Sequence, residues 1–213
     1  MSANDKESNF YFIENKGQWN NEVRYLFKSV NYYAWITDFG VVFDYFENEM
    51  DDYVGNVIKM KFNNTNAIIN FQSKNESNTY YNYFIGDDWA INVRKYEEVI
   101  VKNIYKGIDI RYYADKQTKN LRYDFEISPF ANPNDINFTI EGANYITNND
   151  GELELIINNK SYKHTNLFAY QNIENDVNKI ECRFDLTCLN TEMPKQVRHD
   201  RANLLVVEIT HPM

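Results

Sequence analysis

Apolar and polar residues alternate with a period of two over most of this sequence. Successive side chains of an extended strand point to opposite faces, so each such run reads as a strand with one buried face. In "VRYLFKS" (23–29), Val23, Tyr25 and Phe27 share a face. In "YYAWITD" (32–38), Tyr33, Trp35 and Thr37 stand opposite Tyr32, Ala34 and Ile36. Asp38, Phe39 and Gly40 form a turn signal, and "VVFDYFE" (41–47) returns as the next strand. In "NVIKMKF" (56–62), Val57, Lys59 and Lys61 oppose Ile58, Met60 and Phe62. Turn signals recur along the chain, as at "SPFANPND" (128–135) and "NNDG" (148–151), and no long amphipathic helix interrupts them. The pattern predicts an all-β fold, an antiparallel β-sandwich of about a dozen strands, built as one large sandwich or two fused ones. No repeat or linker divides the chain, which gives a disordered tail over residues 1–8 and a single all-β domain over 9–210.

Composition narrows the function. The chain has 213 residues, 43 % hydrophobic and 25 % charged, which suits a globular domain. Its net charge is −9, and its Lys and Arg are scattered, so the basic stripe that nucleic acid needs is missing. No apolar run approaches the ~20 residues of a membrane-spanning helix. The opening "MSANDKESN" carries no signal-peptide core; the mature part of a secreted protein behind a new Met reads the same way.

One hairpin permits a register argument. Ile108, Ile110 and Tyr112 form one face, and Leu121, Tyr123, Phe125 and Ile127 form the matching face of the partner strand. The opposite faces carry Asp109 and Arg111, then Arg122, Asp124 and Glu126. A register that sets Asp109 against Asp124 also sets Arg111 against Arg122. Shifting by two residues sets Arg111 against Asp124, or Asp109 against Arg122, and opposite charges across a pair contribute roughly 0.2–1 kcal/mol. One of the matched registers is expected, with these charges serving the sheet.

Cys182 and Cys188 lie on one face of "IECRFDLTCL", with Phe184 and Leu186 between them. Along a continuous strand their separation is roughly 20 Å, while a disulfide spans at most about 7 Å between Cα atoms. Two buried free thiols are predicted. No Cys/His metal spacing is present, and no cofactor is expected. The acidic run Asp44–Asp52 has five carboxylates and no basic residue. It reads as a solvated hairpin tip rather than a calcium site, since no EF-hand spacing appears.

Catalytic signals are weak. Three histidines are present, His164, His199 and His211, without a nucleophile elbow or a zinc motif. His164 reads as a surface residue. Asp109, Asp124 and Glu126 are the carboxylates best placed for glycoside hydrolysis, but they have the cross-strand explanation above. No enzyme is expected. Exposed aromatic faces offer a non-catalytic route, because they stack on sugar rings. Trp19 and Trp89 fall in loops, where binding residues concentrate, and are the candidate binding residues, with core packing as the alternative; Trp35 falls in a strand.

The segments "FIENKGQWNNEVRYL", "WITDFGVVFDY", "NYFIGDDWAINVRKYEEVIVKNIYKGIDIRYY", "LRYDFEISPFANPNDINFTIEGA", "DGELEL" and "DRANLLVVE" occur in the order of a known domain. From about Asn9 to Glu208 the chain resembles an uncharacterised bacterial all-β domain found N-terminal to SBBP-type β-propeller repeats in secreted and cell-surface proteins. The resemblance implies a non-catalytic structural or adhesion module, secreted or at the cell surface. Its partners would be other cell-surface modules or glycans, and a carbohydrate-binding module is the alternative. No catalytic residue carries over. The chain departs from the pattern in lacking propeller repeats, in a longer and more charged turn between Tyr113 and Leu121, and in ending at "EITHPM". Within this frame Gly17 is a tight-turn residue and Trp19 a plug closing one end of the core.

Overall fold

The computed structural model describes residues 10–49, 52–86, 88–147, 152–173, 176–185, 190–192 and 203–210. The expected tail at 1–8, the turn at 148–151 and Cys188 lie outside them. Among the described residues there are nineteen strands, one short 3-10 turn at Pro133–Asp135 and no α-helix. The all-β expectation is met, with more strands than about a dozen. In chain order they are β1 (Phe12–Glu14), β2 (Val23–Lys28), β3 (Tyr32–Thr37), β4 (Gly40–Glu49), β5 (Asp52–Phe62) and β6 (Asn70–Glu76). Next come β7 (Tyr81–Ile85), β8 (Asp88–Val93), β9 (Lys95–Tyr105), β10 (Ile108–Ala114), β11 (Leu121–Ile127), β12 (Phe138–Glu141) and β13 (Asn144–Thr147). The rest are β14 (Leu153–Ile157), β15 (Lys160–Ile173), β16 (Asp176–Ile180), β17 (Arg183–Asp185), β18 (Asn190–Glu192) and β19 (Asn203–Thr210).

Fifteen of these strands form one antiparallel sheet, ordered β12-β5-β4-β3-β2-β1-β9-β10-β11-β19-β15-β14-β13, with β6 on β9 and β16 on β15. The long strand β9 organises it. Tyr96 pairs with Glu76 of β6 and with Phe12 of β1. Val99, Ile100 and Val101 pair with β6 and with β10. A strand has two hydrogen-bonding edges, so β6 fills one, while β1 and β10 share the other end to end. Two arms leave that shared edge, one through β1 to β12 and one through β10 to β13.

The arms curl over each other into a half-barrel, and residues far apart in strand order meet. The rings of Tyr45 on β4 and Tyr162 on β15 have centroids 4.1 Å apart. Phe62 on β5 meets Phe125 on β11 edge-on at 6.0 Å. The hydroxyl of Tyr32 on β3 accepts the Leu121 N–H of β11 at 2.9 Å. The inward sets follow the period of two: Tyr32, Ala34 and Ile36; Val41, Phe43 and Tyr45; Leu121, Tyr123 and Phe125 are all buried. At its near corner the β5 backbone passes so close to Gly40 and Gly142 that a Cβ would stand 2.0 Å from the Met60 carbonyl oxygen and 2.3 Å from that of Val57. Both glycines also have positive φ, at +147° and +91°, so side chains are doubly excluded there.

The β10–β11 hairpin takes a charge-matched register, with Arg111 opposite Asp124. Arg111 Nη1 lies 3.8 Å from that carboxylate, and the guanidinium forks onto Glu98 of β9 at 2.6 and 3.0 Å. Asp109 faces Glu126 across the hairpin and is compensated by Lys102 Nζ at 2.6 Å. It also accepts the N–H of Asn103 at 2.6 Å, holding that residue at φ +55° in a bulge of β9. Phe184 is buried and Arg183 exposed, as alternation requires, while Cys182 is a free thiol only half-buried. Burial raises the Cys182 thiol to about 11.

His164 corrects the sequence reading, because it is completely buried. It lies on β15 directly opposite Leu153, facing the core. Its Nδ1 is 2.9 Å from the Tyr123 hydroxyl, its Nε2 has no hydrogen-bond partner among the described residues, and Phe43 packs against its ring. Burial lowers its pKa from 6.5 to about 3. Above pH 6.5 both folded and unfolded chains keep the imidazole neutral. Below it the unfolded chain takes up a proton that the folded chain refuses, so stability falls with pH by about 1.4 kcal/mol per unit until about pH 3. Asp124 works in the opposite sense, since burial raises its carboxyl from 3.8 to about 6. Comparing wild type with His164→Phe removes that contribution, which both proteins share. Chemical denaturation from neutral to mildly acid pH is expected to show wild type losing stability faster than the variant, by about 1.4 kcal/mol per pH unit. Parallel pH profiles would show that His164 does not stay neutral in the fold.

Candidate functional site

The "ENKGQW" loop helps build a small cluster on the outside of the sheet. Asn15 is its hub. The side-chain amide of Asn15 donates to the carbonyls of Asn20 and Val23, each at 2.8 Å, and its oxygen accepts from Gly17 N–H at 3.0 Å and Trp19 N–H at 3.2 Å. Gln18 Nε2 donates to the Glu14 carbonyl at 2.7 Å. Gly17 has φ +103°, the left-handed turn expected of it. Lys16 Nζ reaches the Ile91 and Asn92 carbonyls, and Glu14 accepts the Arg94 N–H at 2.8 Å. The loop thus clasps the β7–β8 hairpin to the outer face of β1.

Beneath the hairpin lies a small second core of Ile13, Ala90 and Val93, with Trp19 and Tyr83 packed against it. Trp19 is therefore a plug, as the loop's polarity left open, but it is half-buried and closes this outer cluster rather than an end of the main core. Trp89 is not in a loop. It is on β8, paired with Phe84 of β7, and the two rings meet edge-on at 5.6 Å. Tyr83 pairs with Ala90 in the adjacent position, so Tyr83 and Trp89 point to opposite faces of the hairpin. Trp19 contacts the inner face, whereas Trp89 and Phe84 are 72 % and 63 % exposed on the outer one. The structure does not bring the two candidate tryptophans together.

It brings Trp19 together with Trp35 instead. From Phe46 the rings run to Tyr33 at 4.9 Å, Trp35 at 6.4 Å, Trp19 at 5.4 Å, Tyr83 at 5.6 Å and Tyr81 at 6.1 Å, every step edge-to-face. This aromatic ridge follows the outer face of β3 and turns onto the hairpin. All its members keep solvent-accessible surface. Lys28 Nζ stands 5.5 Å above the Tyr33 ring at one end, and Lys95 Nζ 4.7 Å from the Tyr81 ring at the other. Such a ridge can stack on flat apolar faces with polar rims. Tyr33, Phe46, Tyr81 and Tyr83 were not among the candidate binding residues of the sequence. The available signal was that β3 is aromatic on both of its alternating faces, leaving no polar side for water.

Two of the three carboxylates considered for catalysis, Asp109 and Asp124, are otherwise engaged. Asp109 holds Lys102 and the β9 bulge, and Asp124 lies under Arg111 with the Tyr113 hydroxyl at 3.2 Å. Among the described residues no three His, Cys, Asp or Glu side chains converge as a metal site. No helix among them is long and apolar enough to cross a membrane.

Residues 12–206 match a family model described as a domain of unknown function, DUF7948. No curated protein and no solved structure matches the chain.

The ridge and the hairpin's outer pair make opposite predictions. Trp19→Ala should destabilise the protein by about 2–3 kcal/mol and expose the hairpin to limited proteolysis, because it opens the second core. Trp89→Ala should change stability by no more than about 0.5 kcal/mol in the same denaturation assay.

Proposed function

The chain belongs to the DUF7948 family, and on that footing we propose that it is a non-catalytic adhesion module of a secreted or cell-surface bacterial protein. The two arms of the curled sheet act as the layers of a sandwich, and the module grips its target through the aromatic ridge. One observation carries this reading: six aromatic side chains touch in an unbroken line on an outer face and remain partly open to water. Monomeric proteins rarely expose large contiguous apolar patches without an interaction to cover them. A line of ring edges and faces suits the stacked pyranose rings of a glycan, so carbohydrate is the ligand class the ridge fits. The competing reading is a purely structural module whose ridge lies against a neighbouring part of the same protein.

A glycan array probed with wild type, Trp35→Ala and Trp89→Ala separates the two. Binding that disappears with Trp35→Ala and survives in Trp89→Ala is the expected result. An array empty for wild type selects the structural module. Release of new reducing ends from any arrayed glycan would overturn both, because it requires catalysis.

A further inference from the structure

The β7–β8 hairpin is a sheet of two strands, apolar on both faces. Its inner face rests on the second core through Tyr83, Ala90 and Val93. Side chains alternate along a strand, so Asn82 and Phe84 of β7 and Trp89 and Ile91 of β8 belong to the outer face. Tyr80, one residue before β7, continues the phase of Asn82 and Phe84. Trp89, Phe84, Ile91 and Tyr80 are 72 %, 63 %, 54 % and 51 % exposed. The Trp89 and Phe84 rings meet edge-on at the middle of this group. Residues 77–86 and 89–93 contain no Asp, Glu, Lys or Arg, and Asp87 and Asp88 fall at the turn between the strands. Asn82 is the polar member of the face, and its side-chain oxygen is taken by the Asn92 N–H at 2.9 Å.

We propose that this outer face is a self-association surface, packed face to face on the same face of a second copy of the chain about a two-fold axis. Charge, area and symmetry select a second copy as the occupant. Each chain carries a net charge of −9, so two copies repel unless the surfaces in contact are themselves neutral, as these two strands are. A partner of opposite charge gains nothing from a face without charged groups. The four apolar side chains expose roughly 500 Å² per copy, and a pair buries about 1,000 Å², the lower bound of a specific interface. The dimer is therefore weak, with dissociation in the micromolar range or above. A two-fold contact presents one patch to itself, and the Phe84 and Trp89 rings then pack against their counterparts as two sheet faces do. The inner face takes no part, so each copy keeps its ridge and the dimer carries two. The inference stands independently of what the ridge binds.

Sedimentation equilibrium of the whole chain tests it. The mass of wild type is expected to rise from one chain toward two across the micromolar range. Raising the salt from about 0.05 to 0.5 M should tighten the dimer several-fold, because screening weakens the repulsion between copies and leaves the apolar contact intact. Trp89→Glu and Ile91→Glu should each hold the chain monomeric while the unfolding temperature of dilute protein stays at the wild-type value. Ile68→Glu, at an apolar residue 84 % exposed outside the hairpin, should leave the dimer intact. A monomer at every concentration overturns the proposal. So does a dimer that survives both hairpin variants, that Ile68→Glu dissociates, or that salt weakens, since its interface is then a different one. Binding of the monomer to phosphatidylcholine vesicles, lost in Trp89→Glu, would give the face to a lipid surface and overturn the proposal as well.

Discussion

One edge of β9 has to serve two strands, and the architecture follows from that. β1 pairs with its first residues and β10 with the remainder, while β6 occupies the opposite edge. Both arms therefore start side by side from one line of hydrogen bonds. Neighbouring strands in a sheet twist in a fixed hand, so arms that leave adjacent stretches of a strand diverge in direction as strands are added. Each arm has an apolar face, and the faces find each other only if the sheet curls. Burial of Phe12, which pairs with Tyr96 near the junction, and the cross-arm contacts of Tyr32, Tyr45 and Phe62 are results of that geometry. The Asn103 bulge lies in the same strand and changes the register with which β10 sets out.

A core closed this way brings together polar atoms from distant segments. The buried tyrosines need partners for their hydroxyls, and several are reached only across the fold: Tyr32 accepts from Leu121 N–H, Tyr123 meets His164, and Tyr105 donates to the Asn137 carbonyl at 2.6 Å. A tyrosine supplies large apolar area with one polar tip, so these bonds fix the relative position of the arms more specifically than apolar packing does. His164 belongs to this set. Its burial is tolerated because one nitrogen is bonded to Tyr123 and the ring stays neutral.

What the sequence disclosed and what it withheld divide along this line. Period-two alternation exposes which side chains of a strand face inward, and charge pairing was enough to narrow the β10–β11 register, where Arg111 meets Asp124. Both are properties of a strand and its hairpin neighbour. The shared edge of β9, the burial of His164 and the union of Trp19 with Trp35 depend on contacts between segments far apart in the chain, for which alternation carries no information. Trp89 was misplaced for a local reason. Gly86, at φ +58°, looks like the start of a loop, but it turns a tight hairpin whose second strand holds the tryptophan. The motif "ENKGQW" reads as a turn, and it is one. That its hydrogen bonds serve to clasp a hairpin more than seventy residues away becomes visible only when Lys16 reaches Ile91 and Asn92.

The outer face of β3 links fold to function. A strand at the surface of a curled sheet ordinarily needs one apolar face, and Tyr32, Ala34 and Ile36 supply it. Tyr33 and Trp35 on the other face contribute nothing to the main core. The β7–β8 hairpin covers part of this second apolar face, with Trp19 as the hinge of the contact, but it stops at Tyr83. Beyond it Trp35, Tyr33 and Phe46 continue along the same face, each partly open to water. Water contact along such a line costs roughly 25 cal/mol for each Å² of apolar surface. Folding leaves that cost standing along the accessible part of the ridge, and the proposed contact with a glycan would recover it.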